Sequence, residues 1–342
     1  MYQKVIEDIK RNLGENKDLN RKYLISQIEI YKTHEYSTEI IKEISRMIWE
    51  CLTPEEQEEF ERIVEDENPI KETLIEAEFY IQNNDYETAL EKLDSFLKTQ
   101  PKLYENDKIN EYHSFSNPLE ELIFNEFIGC EKELRYIPDN QPLEDLYYAY
   151  GFLLRNASRL DEAESALKEA LEINPVSTKI ILELCDIYRM RAPTFNKFYF
   201  YTMDALKYAY SGYELARIYR NLGFYYYEEN NIELSIACYK NSLKYENDPF
   251  VSQRIEQFES KYNIDLDDDA CEELMSDKHI NTGANPFIIE NLEKLAVEYE
   301  QDNLLNQSLF FYRLLYSVKK ENQIFEKIKQ LDFITRRNKR KV

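Results

Sequence analysis

A small residue recurs at nearly even intervals along this chain. The positions are Ala77, Gly151, Gly223 and Ala296, which lie 74, 72 and 73 residues apart. In each case a second small residue follows twelve positions later and a large residue follows sixteen positions later. Small residues in matched places let two antiparallel helices approach closely, and the large residue fills the space beside them. The pattern therefore predicts a chain built from repeated helix pairs.

Many helix starts are marked by a polar residue followed by proline. The polar side chain accepts a backbone hydrogen bond, and the fixed φ of proline suits the first helical position. Thr53 and Glu56 add a capping box. Only six glycines and ten prolines punctuate the chain, and no strand of alternating polarity stands out, so an all-α fold is predicted. The starts are Asn68-Pro69, Asn117-Pro118, Asp248-Pro249 and Asn285-Pro286, with Gln141-Pro142 a weaker example.

The segment 144–175 resembles a tetratricopeptide repeat, a helix–turn–helix unit of about 34 residues. Aromatic, small and large residues stand at the fixed offsets of that family, and a proline closes the second helix. The resemblance implies a right-handed α-solenoid superhelix of antiparallel helix pairs. The matching residues are Tyr147, in the place of the family's tryptophan, followed by Tyr150, Gly151, Leu154, Ala163, Leu167, Ala170 and Pro175.

The same frame fits three other segments, so a tetratricopeptide array is predicted over 67–334. Each interval is about two repeats long plus a few residues, which predicts one degenerate helix pair between successive clear repeats. Such a pair is visible within 178–211 and is less clear within 104–140 and 250–284. The clear repeats lie near 70–103, 144–177, 216–249 and 289–322.

Two terminal segments fall outside the predicted array. Residues 1–66 have a helical pattern without the repeat and are predicted to form an N-terminal helical cap or small bundle. Residues 335–342 form a basic tail, for which we expect a solvated end, with docking or anion binding as the alternative. The whole chain has a formal net charge of −23 and a sequence pI near 4.7. Because so acidic a body repels phosphate backbones, no nucleic-acid partner is predicted.

The cysteines and the hydropathy pattern suggest a compartment. No two cysteines are spaced as C-x-x-C, and each lies in a helical pattern, so buried free thiols in a reducing compartment are expected. No apolar run approaches the roughly 18 residues that span a membrane, and no signal-peptide core is present. We therefore expect a cytoplasmic protein with no membrane partner. The cysteines are Cys51, Cys130, Cys185, Cys238 and Cys271.

Signatures of enzymes and metal sites are missing from the sequence. There is no phosphate-binding glycine loop and no G-x-S-x-G elbow. His34, His113 and His279 lie far apart, and none has a partner at metal-ligand spacing, although a cluster formed by folding stays open. The aspartates within 265–269 alternate like the start of a calcium loop, but the glycine and glutamate of such a loop are absent. No enzymatic activity, cofactor or metal site is predicted.

One surface of the predicted array combines cations with aromatic residues. In tetratricopeptide arrays the first helix of each pair lines the concave groove, so the resemblance implies a groove lined by nine residues, which we call the first-helix face. Guanidinium groups suit carboxylates, and rigid aromatic side chains supply buried contact area. The residues are Tyr148, Phe152, Arg155, Lys179, Arg189, Arg217, Arg220, Phe224 and Tyr227.

Two interpretations of the first-helix face stay open. Its cations bind a ligand, or they pair with local acids such as Asp145, Glu183 and Asp186. The face does not carry the carboxylate clamp of chaperone-binding members of the family. Tyr148 and Phe152 stand where the first lysine and asparagine of that clamp would be.

Two functions follow from the resemblance. The first is a non-enzymatic protein–protein interaction scaffold that binds a peptide or protein segment in the groove, with acidic groups or a free carboxylate on the partner. The alternative is a peptide-responsive regulatory protein of the bacterial tetratricopeptide sensor type, acting through protein contacts. DNA binding is not expected because residues 1–66 are acid-rich and lack a helix-turn-helix pattern. The sequence does not set the oligomeric state.

Overall fold

Three N-terminal helices form a bundle with an apolar core of its own. α1 (Tyr2–Arg11) and α2 (Lys17–Tyr31) both pack against α3 (Ser37–Cys51). Leu24 and Ile44 are fully buried at the centre of this core. The structure is a computed structural model, and it describes residues 2–14, 16–32, 34–53, 56–57, 68–99, 104–191 and 195–339.

The rest of the described chain is an α-solenoid with one small sheet. Consecutive helices pack as pairs, namely α4 with α5, α7 with α8, α9 with α10, α11 with α12, and α15 with α16. The elements in chain order are α4 (Pro69–Gln82), α5 (Tyr86–Thr99), β1 (Asn110–His113), α6 (Pro118–Phe127), β2 (Glu133–Tyr136), α7 (Leu143–Asn156), α8 (Leu160–Ile173), α9 (Thr178–Arg189), α10 (Phe195–Tyr208), α11 (Gly212–Glu228), α12 (Ile232–Leu243), α13 (Pro249–Tyr262), α14 (Asp268–Asp277), α15 (Pro286–Gln301), α16 (Leu305–Val318) and α17 (Asn322–Lys339).

The segment 104–140 departs from the helix pair that the spacing predicts. It forms a strand–helix–strand unit, β1–α6–β2, in which the two strands pair in parallel with Glu111 opposite Leu134. A parallel pair needs a crossover, and α6 supplies it. Each strand is only four residues long, and β1 lacks alternating polarity, so the sequence does not predict a strand pair here. We call this unit the insert.

The other intermediate segments are helical. The pair visible within 178–211 is α9 with α10, whereas α13 and α14 both pack against α12. α17 continues to Lys339, so residues 335–339 of the predicted tail are helical, and residues 340–342 lie outside the described part.

Four of the helix starts form as the sequence predicts. Asn68, Asn117, Asp248 and Asn285 each accept backbone N–H groups, with proline at the first helical position. Thr53 and Glu56 also make their reciprocal capping bonds. The weaker example differs, because Pro142 itself occupies the capping position of α7 and no side chain caps that helix.

The recurring small residues lie where paired helices touch. A Cβ atom on Gly223 would come within 2.8 Å of the ring of Tyr239, and one on Gly151 would come within 2.6 Å of Leu167. In the third repeat the hydroxyl of Ser235 donates to the carbonyl oxygen of Gly223 at 2.6 Å. The small residue thus leaves room for the large side chain of its partner helix, and its carbonyl oxygen accepts the hydrogen bond from the hydroxyl.

The cysteines are unpaired, and three of them are buried. Cys185, Cys238 and Cys271 lie in the solenoid core, whereas Cys51 and Cys130 are partly exposed. The expectation of free thiols is confirmed for all five, and that of burial for three. Within the described ranges, no helix is both long and apolar enough to cross a membrane.

Candidate functional site

The first-helix face is continuous because α7, α9 and α11 lie side by side. α9 packs against both α7 and α11. Tyr148, Phe152 and Arg155 come from α7, Lys179 and Arg189 from α9, and Arg217, Arg220, Phe224 and Tyr227 from α11. The helical spacing of three and four residues brings these side chains to one side of each helix.

A network of two arginines and two acids occupies the middle of the face. Arg155 bonds Glu183 with a nitrogen–oxygen distance of 3.0 Å. Nη2 of Arg217 lies 3.1 Å from the same carboxylate, 2.7 Å from Asp186 and 3.2 Å from the carbonyl oxygen of Leu182. Only 6% of the Glu183 side chain and 19% of the Arg217 side chain are exposed, so these charges interact through a partly desolvated medium.

The three remaining cations of the face also have acidic partners. Lys179 lies 3.0 Å from Asp145, and Arg189 lies 3.3 Å from Asp186. Arg220 lies 2.7 Å from Glu246, and its second acid is farther away. The pairing of the face cations with local acids, one of the two interpretations above, is therefore observed. The binding role of the face stays a prediction.

Three of the four aromatic residues of the face lie beside its cations. The ammonium of Lys179 lies 4.3 Å from the ring centre of Tyr148, and the guanidinium of Arg155 lies 5.4 Å from that of Phe152. Both distances suit cation–π attraction. Phe224 similarly lies beside Arg189, while Tyr227 stacks on a ring from α13. All four face aromatics are half-buried.

Among the described residues, the acids engage only part of the guanidinium groups of Arg217 and Arg220. All three bonds of Arg217 use Nη2, and the bonds of Arg220 use Nη1. Within the described residues, Nε and Nη1 of Arg217 and Nε and Nη2 of Arg220 make no hydrogen bond. Since a guanidinium has five N–H donors, these atoms keep donors for a ligand oxygen.

The tetratricopeptide repeat family matches at residues 144–177. These residues form α7 and α8, in which Gly151 meets Leu167 as described above. The chain therefore contains a repeat of the tetratricopeptide type at these residues. Such repeats generally mediate protein–protein interaction, and the fold is typically a non-enzymatic scaffold.

One solved structure similar to this chain is the C-terminal part of a TPR repeat-containing protein from Cytophaga hutchinsonii. The similarity covers 74% of this chain and 98% of that chain, with 11% identity and a TM-score of 0.32. A similarity that weak carries no weight for fold or function. No curated protein matches the chain.

A separate cleft of about 880 Å³ lies between the first repeat, α7 and α8. None of the nine face residues lines it, and its described lining contains no lysine or arginine. Residues 100–103 connect two of its walls and lie outside the described ranges. Its aromatic and acidic lining comprises Phe96, Tyr104, Tyr112, Tyr147, Tyr150, Glu105, Asp161, Glu162, Glu169 and Glu172.

Sequence reasoning missed one group of reactive side chains in this protein. Glu111, His113 and Cys130 meet in the insert, with possible ligand atoms all within 4.8 Å of one another. No local sequence motif contains all three residues, because the crossover through α6 brings Cys130 back to β1. Of the aspartates at 265–269, Asp267 instead caps a helix by accepting the N–H of Ala270.

Proposed function

We propose that this protein is a non-enzymatic interaction scaffold that binds a peptide or protein segment on the first-helix face. The observation that supports the proposal is the arrangement of Arg217 and Arg220. Each is held by acids through one nitrogen and keeps other N–H donors free, on the same face as the half-buried aromatic rings. A surface of this kind presents fixed donors next to apolar contact area.

The geometry favours a ligand segment with an acidic group or a free C-terminal carboxylate next to an apolar side chain. The carboxylate would accept from the free donors of Arg217 and Arg220. The apolar side chain would contact Phe152 or Phe224. Because acids already orient the guanidiniums, a ligand loses less side-chain entropy on binding than it would with mobile arginines.

The central charges support a recognition role more than a stabilising one. Glu183 is nearly buried beside Arg155 and Arg217. Burying ion pairs usually contributes little net stability, because desolvation offsets their attraction. Such pairs do fix the positions of donors and acceptors, which is what selective binding of a segment requires.

A display library of short random peptides with free C-termini tests the proposal on the full-length protein. We expect enrichment of related sequences in which an apolar residue lies at the C-terminus or beside an acidic side chain. The selected peptides are synthesised with free and with amidated C-termini, and their affinities are measured by fluorescence anisotropy. If amidation weakens binding, the face recognises a terminal carboxylate. If it does not, a side-chain acid is the recognised group.

Two face variants and one control locate the binding. We expect Phe152→Ala and Arg220→Glu each to weaken the selected peptides at least tenfold, about 1.4 kcal/mol. Arg313→Glu is the control, because it makes the same charge change and breaks a surface pair with Asp332 on other helices. The proposal fails if no related peptides are enriched, or if both face variants bind as tightly as this control.

A further inference from the structure

Three side chains with metal-binding atoms converge in the insert. Sγ of Cys130 lies 2.9 Å from Oε2 of Glu111, and Nε2 of His113 lies 3.8 Å from the same oxygen. All three possible ligand atoms lie within 4.8 Å of one another. Thiolate, imidazole and carboxylate are the three side-chain groups that bind zinc in proteins.

The histidine is oriented as a ligand would be. Its Nδ1 lies 3.2 Å from the carbonyl oxygen of Ile173, so Nδ1 carries the proton and Nε2 presents its lone pair. A metal-binding histidine usually donates its other ring N–H in this way. Only 6% of the His113 side chain is exposed.

The Nε2 atom of His113 has no hydrogen-bond partner in the described part of the chain. A buried polar atom without a partner costs free energy, so such atoms are rare and call for an explanation. Here the atom points to the side of the ring where Glu111 and Cys130 lie. A bound metal ion would satisfy it.

The fold itself gathers the three residues. Glu111 and His113 are two apart on β1, so their side chains lie on the same face of the strand. α6 then carries the chain back, and Cys130 precedes β2, which pairs with β1. The parallel register, with Glu111 opposite Leu134, fixes how far the loop that holds Cys130 lies from β1.

We propose that Glu111, His113 and Cys130 form a binding site for one divalent transition metal ion, with zinc the best fit. Zinc bond lengths of about 2.0–2.3 Å place tetrahedral ligand atoms about 3.4–3.6 Å apart. The sulfur–oxygen distance must therefore open by several tenths of an ångström, and the nitrogen–oxygen distance must close by a similar amount. The sulfur–nitrogen distance, which now lies within 4.8 Å, must reach about 3.6 Å. Side-chain rotations would supply these changes.

Metal binding changes the protonation of the site in a balanced way. The thiol of Cys130 now donates its hydrogen to Glu111. On binding, the sulfur–hydrogen bond is replaced by a sulfur–zinc bond, and the proton leaves to solvent. With three protein ligands, the fourth position of the ion is left for water. The ion would tie β1 to the loop before β2 and so stabilise the insert.

The full-length protein is tested with zinc and with cobalt(II) as a spectroscopic probe. We expect one zinc per chain in competition with a chromophoric chelator. We also expect a near-ultraviolet thiolate-to-cobalt charge-transfer band. Absence of this band from the wild-type protein would overturn the proposal without any variant.

Variants then assign the ligands. Cys130→Ser should abolish the charge-transfer band, and His113→Gln should weaken zinc binding at least tenfold. Cys51→Ser is the matched control, because it removes another partly exposed free thiol in the N-terminal bundle. It should keep both the band and the stoichiometry.

A stability measurement separates loss of binding from loss of folding. Zinc should raise the melting temperature of the wild-type and Cys51→Ser proteins by mass action on the folded state. The metal-free Cys130→Ser protein should keep its helical circular dichroism and show no zinc-dependent shift. Equal zinc responses in Cys130→Ser, His113→Gln and wild type would refute the site.

Discussion

The paired helices of the solenoid and the insert are held against their neighbours in different ways. Within the pairs α7–α8 and α11–α12, a glycine meets a large side chain at contact distance, and the contact is apolar. The insert also buries apolar side chains in the solenoid core, namely Leu119, Ile123 and Phe124 of α6, but it adds polar contacts over long sequence distances. Glu120 of α6 accepts hydrogen bonds from Asn174 and from the hydroxyl of Tyr210, and only 3% of Glu120 is exposed.

The contrast shows which contacts a sequence pattern reveals. Apolar pairing within a repeat joins residues twelve and sixteen positions apart, and it recurs, so it leaves a periodic trace. The polar docking joins residues 54 and 90 positions apart, and it occurs once. Substitutions in the apolar helix pairs and in the polar contacts of the insert should therefore lower the free energy of unfolding for different physical reasons.

The largest expected effect is on the apolar side, for Gly223→Leu. Even a Cβ atom here would lie 2.8 Å from the ring of Tyr239, and Arg254 holds that ring through its hydroxyl at 3.1 Å. We expect a loss of about 3 kcal/mol by overpacking, which exceeds the gain of about 0.8 kcal/mol in helix propensity. Urea denaturation followed by circular dichroism measures the loss.

Gly14→Leu is the matched control for this prediction. Nothing lies within 4 Å of a Cβ atom at Gly14, so a change within about 0.5 kcal/mol is expected. Equal stabilities of the Gly223→Leu and Gly14→Leu proteins would show that close approach of α11 and α12 is not required.

The next effect is on the polar side, for Asn174→Ala. Nδ2 of Asn174 donates to Glu120 at 2.9 Å and to Glu144 at 3.0 Å, and the residue is fully buried. Its loss leaves two buried carboxylates facing each other with one donor fewer. We expect a cost of about 2 kcal/mol in the free energy of unfolding. Asn156→Ala, at the exposed end of α7, should cost little, and a result as small for Asn174→Ala would contradict the docking role.

The difference between recurring apolar contacts and single long-range polar contacts also separates what the sequence predicts from what it does not. The contacts of Gly223 with Tyr239 and of Gly151 with Leu167 follow from the spacing of the repeats, and four helix caps follow from a polar residue placed before a proline. The first-helix face stays a prediction as a binding site, and the acid partner of Arg220 comes from the loop after α12, which the repeat frame does not address. The insert was missed because its strands are only four residues long and are stabilised by long-range pairing.

The free energy of unfolding should depend on pH because two carboxyl groups near Glu120, one on α7 and one on α11, are removed from water. Removal from water, aided by Glu120, raises the pKa of Glu214 to about 7. Burial, aided by the same neighbour, raises the pKa of Glu144. The folded protein thus holds these protons more tightly than the unfolded chain, whose carboxyls titrate near 4.3. Stability should rise as pH falls from 8 to 6, and it should be lost as pH rises through 7.

The slope of that dependence can be measured by urea midpoints at each pH. For Glu214 the change is at most about 1.4 kcal/mol between pH 8 and pH 6. Glu214→Gln should flatten the profile, because an amide oxygen still accepts the N–H groups of Tyr210 and Ser211 but does not titrate. A variant profile as steep as the wild-type profile would assign the dependence to other groups.

The smallest expected effect tests a contact that the solenoid repeats. The hydroxyl of Ser235 bonds the carbonyl oxygen of Gly223, and that of Ser308 bonds the carbonyl oxygen of Ala296 at 2.8 Å. Both serines are fully buried. Ser235→Ala and Ser308→Ala should each cost about 1 kcal/mol, the net contribution of one buried hydrogen bond.

The second repeat supplies the reciprocal change, because Ala163 occupies the place of these serines. Ala163→Ser offers a new hydroxyl to the carbonyl oxygen of Gly151, which already accepts a helical bond. The added bond and the added oxygen in a packed contact oppose each other, so we expect a smaller change in the free energy of unfolding than for Ser235→Ala. Unequal costs for the two serine variants, measured by urea denaturation, would show that the repeats share a sequence pattern without sharing its energetics.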